Sequence, residues 1–438
     1  MALTLGTPQV FEDGATSLLS VTALSSTQAV VAYVDAGDSD KGKAAVLDVT
    51  GTTVSAGTPA VYNNAGTDRV DVVSLSSTKA MVVYRDDGNS NYPTAAILDV
   101  SGSTITPGSE AVIDSNATDG SRVVVEKLTS TKAIAVWVRN SDGKLYGCVL
   151  DVSGSTITPG SATVLTSGAA SDQGIAPLDS THVLIHYDET GRDAMVLTIS
   201  GTNITTNTVK DLYANPLTGG YALKSGILLD TNLVLVESST ATDGRLDLLS
   251  ISGTTITIED QLALNTPAST HGALAKLSAT KAGLVYYNWD SPTHRCRVDT
   301  FTISGGTSVS KDGLTENVAT LQSDSGWFSA TDLTSTTFLV VYRDNGDSQK
   351  GTAVVVSMDV SNARFYQGAG TLAEKFTLPF TGVNPGNMTL NKSLGTVVIG
   401  SDAAATTMVV YSDWPYPTGT ASGAGIPTGT TITSTKWV

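Results

Sequence analysis

Short apolar runs recur along this chain, each preceded by a small polar turn. They read LSSTQAVVAYVD (24–35), LSSTKAMVVYRD (75–86), LTSTKAIAVWVR (128–139) and LDSTHVLIHYDE (178–189). They return as LDTNLVLVESS (229–239), LSATKAGLVYYN (277–288) and LTSTTFLVVYRD (333–344), with a worn eighth copy, LNKSLGTVVIGSD, at 390–402. The runs are too short for helices, are rich in Val, Ile and Tyr, and are bounded by Ser, Thr, Gly and Asp. That pattern predicts buried strands.

A second phrase falls between them. LDVSGSTITPGS occurs at 98–109 and again, letter for letter, at 150–161. Degraded copies are LDVTGTTVSAGT (47–58), LTISGTNITTNT (197–208), LSISGTTITIED (249–260), FTISGGTSVSKD (301–312) and MDVSNARFYQGA (358–369). Each unit of roughly 50 residues therefore carries four strands, A to D. In one unit these are RVDVVSL (69–75), KAMVVYR (79–85), TAAILDV (94–100) and GSEAVID (108–114), with SGSTIT as the C–D link. A lone four-stranded sheet cannot bury both faces, so such units must stack. The expectation is an all-β fold, a single β-propeller of about eight four-stranded blades.

The predicted units are 17–68, 69–121, 122–171, 172–219, 220–269, 270–327, 328–380 and 381–412, the last sharing 1–12. Residues 1–12 align with 52–63 without a gap, and Gly6, Gly57, Gly108 and Gly160 fall at one position of the repeat. The chain thus begins with a D strand, and the eighth unit lacks one. Closure of the last blade by the N-terminal strand follows, which removes open sheet edges. The tail TGTTITSTKWV (428–438) competes for that place, and seven blades plus a docked C-terminal fragment is the alternative. Residues 413–438, rich in Gly, Pro and Thr, read as an extended arm. Trp414, Tyr416 and Trp437 make it an assembly arm, since large aromatics suit a docked segment.

Composition narrows the function classes. Hydrophobic residues make up 40% and charged residues 15%, and the net charge is −16. An acidic chain repels phosphate backbones, which argues against nucleic acid as a partner. No apolar run reaches the length of a membrane helix, so no membrane insertion is expected. Cys148 and Cys296 fall in comparable positions of different repeats and are expected as free thiols. The start, MALTLGTPQVFEDGAT, lacks the pattern of a secretory signal.

In a meander the B–C and D–A loops share one face, and the short A–B and C–D turns share the other. The B–C loops vary between repeats, so that face is the expected binding face. His271, Trp289, Asp290, His294, Asp324 and Trp327 gather near units six and seven on it. Aromatic rings beside carboxylates suit sugars, whose C–H faces stack and whose hydroxyls pair with polar groups. Acidic loops in three units offer a second site. Asp35, Asp38 and Asp40, then Asp86 and Asn89, then Asp344 and Asp347 could supply oxygens to Ca²⁺. The same residue types are also what hairpin turns favour. No cofactor is required. No nucleophile elbow, zinc-protease or P-loop motif occurs, so a non-enzyme is expected. His182 and His186 read as packed strand residues.

The segments LSSTKAMVVYRDDGNSNYPTAAILDVSGSTITPGSEAVID and TTFLVVYRDNGDSQKGTAVVV resemble a repeat of virion structural proteins of tailed bacteriophages. The resemblance covers roughly 1–412 and is strongest over 17–166. It implies a propeller on a virion surface, made in the host cytoplasm, as fibre, spike, decoration or receptor-binding module. The implied partners are other virion proteins through the arm, and host surface glycans, with the protein present in multiple copies. An exported bacterial lectin or surface-layer protein, extracellular or on the cell surface, is the alternative. A polysaccharide-degrading propeller is a further one.

Overall fold

A computed structural model describes residues 2–189, 191–213, 225–239, 244–264, 269–288, 295–319 and 328–359, and short strands at 375–377, 388–392, 395–399, 407–409, 419–420 and 431–432. The chain divides into two units, Ala2–Asp359 and a second drawn from Val360–Val438. The fold is all-β. Two three-residue 3₁₀ turns, Ala36–Asp38 and Asn345–Asp347, are the only helices among the described residues.

Within Ala2–Asp359 the A, B and C strands recur seven times, and each set forms an antiparallel meander. The first is the later part of Gln9–Ser25, then Gln28–Asp35 and Lys41–Thr50. The second is the later part of Ala60–Ser76, then Lys79–Asp86 and Tyr92–Ser101. Thr118–Thr129, Lys132–Arg139 and Leu145–Ser153 form the third. The fourth is Ser171–Pro177, His182–Asp188 and Arg192–Ser200, and the fifth Gly226–Asp230, Leu233–Ser239 and Gly244–Ser252. The sixth is Ser269–Ser278, Lys281–Asn288 and Arg295–Ser304, and the seventh Phe328–Thr334, Thr337–Asp344 and Lys350–Asp359.

Strand D differs from its expected bounds. It begins directly after a two-residue turn: Thr104–Pro107 pairs with Leu98–Ser101, and Ala111–Val112 pairs with Thr94–Ala95. The expected C–D link SGSTIT is therefore mostly strand, with Ile105 buried. The turn glycines Gly51, Gly102, Gly154, Gly201 and Gly253 all have φ near +60°, from 58° to 64°. Glycine at the first central position of a two-residue hairpin is the type II′ preference.

The chain opens with a D strand, as its alignment implies, but closes a different sheet from the one expected. Ala2–Leu5 pairs with Val356–Asp359. Gly6 N–H then donates to Val355 O at 2.8 Å, as Gly57 does to Val46, Gly108 to Ile97 and Gly160 to Val149. The N-terminal strand is thus the D strand of the seventh sheet, not of a unit built on 381–412. In the second unit, Met388–Lys392 pairs with Gly395–Ile399, and Lys375–Thr377 with Thr407–Val409. The remainder of the predicted eighth blade lies outside the described residues.

Seven apolar clusters lie between successive sheets. One joins Val30, Val46 and Tyr62 of the first with Val72, Tyr84 and Leu98 of the second. The series runs on through every neighbouring pair. Another joins the seventh sheet to the first, through Leu339, Val341 and Val355 against Val31, Tyr33 and Leu47. Each sheet is too thin to fold alone and buries both faces against its neighbours, which is why the B strands read as continuous apolar runs. Face-to-face stacking of four-stranded antiparallel sheets in chain order is the propeller arrangement.

The repeated phrase follows from this packing. Leu98 and Val100 are buried core residues. Asp99 takes Lys79 from strand B and the Ser155 hydroxyl from the next sheet's C–D turn. Asp48 does the same with Gln28 at 2.8 Å and Ser103 at 2.5 Å. Gly57 sits beneath that next turn, and a Cβ built on it would stand 2.1 Å from the Ser103 carbonyl oxygen. Gly6 and Gly108 meet Thr52 and Ser155 in the same way, at 2.0 and 2.5 Å. Each copy is thus half of an inter-sheet joint, and identical neighbours select identical letters.

Candidate functional site

The B–C loops of the first, second and seventh sheets share one backbone path. Ser39 and Asp40, Ser90 and Asn91, and Ser348 and Gln349 are consecutive residues with φ between 57° and 65°. Asp and Asn tolerate this left-handed region best, and here serine and glutamine adopt it too. Asp35 Oδ1 accepts from Gly37 N–H at 2.9 Å, and Asp344 Oδ1 from Gly346 N–H at 2.9 Å. Asp35 Oδ2 takes Lys43 at 2.5 Å, and Asp38 takes Lys41 at 3.0 Å and Lys43 at 3.2 Å. Those lysine hydrogen bonds hold the Asp38 carboxyl below its ordinary range. Asp347 pairs with Lys350 at 3.3 Å. Asp86 is buried and accepts from Asn63 Nδ2 at 3.3 Å. Of the expected calcium residues, Asp35, Asp38 and Asp347 thus face lysines, and Asp35, Asp86 and Asp344 serve the loop. Among the described residues no group of three or more His, Cys, Asp or Glu is placed to hold a metal.

Trp289, Asp290, His294, Asp324 and Trp327 lie outside the described residues, as do Trp414, Tyr416 and Trp437. His271 belongs to the strand Ser269–Ser278, and its side chain lies outside the described residues. His186 is fully buried, as expected, whereas His182 is partly exposed and its Nδ1 lies 2.9 Å from Asp179. Cys148 and Cys296 are buried free thiols, and burial pushes Cys148 up to about 12.

A second feature was not read from the sequence. The inner A strands of all seven sheets line one cavity of about 430 Å³. Its wall includes Ser20, Thr22, Asp71, Ser74, Arg122, Glu126, Lys127, Ser225, Ser329, Thr331 and Asp332. Each A strand is a sheet edge, and an edge leaves inward amides in need of acceptors. Side chains of the preceding sheet supply them. Ser20 Oγ accepts from Val72 N–H at 3.3 Å, and Thr22 Oγ1 from Ser74 N–H at 3.1 Å. Ser225 Oγ accepts from Leu274 N–H at 2.8 Å. Ser329 and Thr331 accept from Val21 and Ala23 N–H at 3.2 and 3.1 Å, so the seventh sheet serves the first.

Asp71 takes the place of a serine in this series. Its carboxylate accepts from Ser20 Oγ at 2.7 Å, Val72 N–H at 3.0 Å and Val125 N–H at 3.0 Å. Burial pushes its carboxyl upward, and the Arg122 guanidinium and these hydrogen bonds partly offset that. Burial likewise moves Glu126 up to about 8, with the Asp71 charge adding to it. Glu126 Oε1 accepts from Lys127 N–H at 2.9 Å. Asp332 is also shifted upward by burial, offset in part by Lys276. The available signal was a charged residue within an apolar A strand, as in RVDVVSL, where three sibling units carry serine and the other three Val, Gly or Ala.

A scan of family models and a search of curated proteins found no match to this chain. Solved structures with related folds include a hypothetical selenium-binding protein of Sulfolobus tokodaii, at 8% identity and TM-score 0.47 over 67% of this chain and 76% of that one. The six-bladed β-propeller lectin of Aleuria aurantia matches at 14% identity and TM-score 0.45, over 70% and 96%. The NanB sialidase of Streptococcus pneumoniae matches at 10% identity and TM-score 0.46, over 66% and 67%. Likeness of this degree carries no argument about ligand or activity.

Proposed function

We propose that this chain is a non-catalytic, glycan-binding display protein of a virion surface, with Ala2–Asp359 closed into a seven-bladed propeller by its own first strand. The observation that carries the reading is the contrast between its two faces. On one face the C–D turns interlock from sheet to sheet, and their sequence is repeated because packing demands it. On the other, the B–C loops keep a rigid shared backbone in three sheets while their side chains change. A stiff scaffold with exchangeable loops on one side suits recognition of an external surface. The phage resemblance points to a virion as that scaffold's place, the host cytoplasm as its site of synthesis and host glycans as the target. Residues 413–438 are then the segment that joins other virion proteins.

The test is peptide mass spectrometry on density-purified viral particles and on washed cell envelopes from the source culture. Enrichment in particles is the expected result. Recovery only from envelopes would overturn the virion assignment and favour an exported lectin. Trp289→Ala should abolish binding to host glycans while leaving the circular dichroism spectrum unchanged. Retained binding would remove the loop face around Trp289 as the site.

A further inference from the structure

We propose that the central cavity is a binding site for a neutral, hydroxyl-rich ligand of about the size of one pyranose ring, separate from the loop-face site and independent of it. Three observations lead there. The first is a gap in the ring of hydrogen bonds. Ser20, Asp71, Ser225 and Ser329 each accept the inward amide of the next sheet, those of Val72, Val125, Leu274 and Val21. The equivalent positions by sheet register are Val124, Gly174 and Ala273, opposite Val136, His186 and Val285. None of these three side chains has an oxygen. By the same register the amides of Ile175, Gly226 and Ala330 point inward, and all three residues line the cavity. At the matching register position the preceding sheet offers each of them no side-chain oxygen, and a ligand oxygen can take that place.

The second observation is small side chains at the register gap. Gly174 and Ala273 stand on the inner strands of sheets four and six, where other sheets carry Ser or Asp. The space beside Gly272 is taken by the Glu237 carboxylate, and that beside Gly226 by Ala176 and His186. The third is charge balance. The lining holds Asp71, Glu126 and Asp332 against Arg122 and Lys127. Burial pushes Glu126 up to about 8, and the other ionisable lining groups are two acids and two bases. Behind the wall, Asp172 and Glu237 act on Arg122, and Lys276 acts on Asp332. A sugar hydroxyl both donates and accepts, and suits such a wall. The volume of about 430 Å³ lies within the range of small-molecule sites.

The test titrates the full chain at pH 7 with methyl pyranosides of glucose, galactose, mannose and fucose. Methyl glucuronide and methyl glucosaminide serve as charged controls, and binding is read by calorimetry. At least one neutral glycoside should bind, more tightly than either charged control. Binding should slow hydrogen exchange in peptides covering Ile175, Gly226 and Ala330. Gly174→Ser with Ala273→Ser restores the hydroxyls that other sheets carry. This double variant should weaken binding about tenfold while leaving the melting temperature equal or higher, which a merely structural role would not do. Ala273→Leu, which fills the cavity, should abolish binding, and Trp289→Ala should leave it unchanged. No binding by any neutral glycoside, preference for a charged control, or full binding by the folded double variant would each overturn the proposal.

Discussion

Gly57→Ala isolates the inter-sheet joint that the repeated phrase encodes. The added Cβ would lie 2.1 Å from the Ser103 carbonyl oxygen, a backbone atom of the next C–D turn. Ordinary contact needs more than 3 Å, so the two sheets must part by about 1 Å. That shift strains Gly57 N–H to Val46 O, now 2.8 Å, and Ser103 Oγ to Asp48, now 2.5 Å. Overpacking of this kind costs about 1–3 kcal/mol, and a rigid partner places it at the upper end. Gly51 is the control. It has φ +61° and nothing within 4 Å of its ideal Cβ, so Gly51→Ala is opposed only by backbone conformation, about 1 kcal/mol. Asparagine tolerates that conformation, so Gly51→Asn should recover most of the loss, whereas Gly57→Asn should recover none. Urea unfolding, followed by both circular dichroism and tryptophan fluorescence, measures all four variants. A Gly57→Ala protein within 0.5 kcal/mol of wild type, or one more stable than Gly51→Ala, would refute the joint.

Other predictions rest on separate contacts. Deleting residues 2–8 removes the strand paired with Val356–Asp359 and the buried Leu3, so the remaining chain should melt well below wild type and aggregate through its exposed edge. Asp71→Ala leaves the Val125 amide and the Ser20 hydroxyl without their shared acceptor, while Val72 N–H keeps Ser20 Oγ, for a loss of about 2–4 kcal/mol in urea unfolding. Glu126 has its folded pKa raised from 4.5 to about 8, so its contribution is full below the unfolded value and is lost as pH rises through 8. Wild type should therefore lose stability relative to Glu126→Gln between pH 5 and 8.5, and parallel pH profiles would contradict the shift. Cys148 and Cys296 should react with a thiol reagent only at the rate of unfolding, since both are buried and burial disfavours their thiolates.

The strands were legible because burial on both faces leaves an unbroken apolar run, as in KAMVVYR, and a local run needs no tertiary information to be seen. The C–D hairpins were legible as copies of one phrase, although the two-residue turn at Gly102 reads there as the longer link SGSTIT. The alignment of residues 1–12 with 52–63 correctly marked the first strand as a D strand. Which sheet it would complete was not in those letters. That depends on which C strand presents a free edge, and Lys350–Asp359 does so through a pairing more than 350 residues away in the chain. The cavity was hidden for the same reason. Asp71, Arg122, Glu126 and Asp332 come from three units spread over about 260 residues, and only the stacking of seven sheets brings their inner strands around one space. Periodicity determined what each unit is. Long-range packing decided which edges meet, which amides are answered by a neighbour, and where the polar side chains converge.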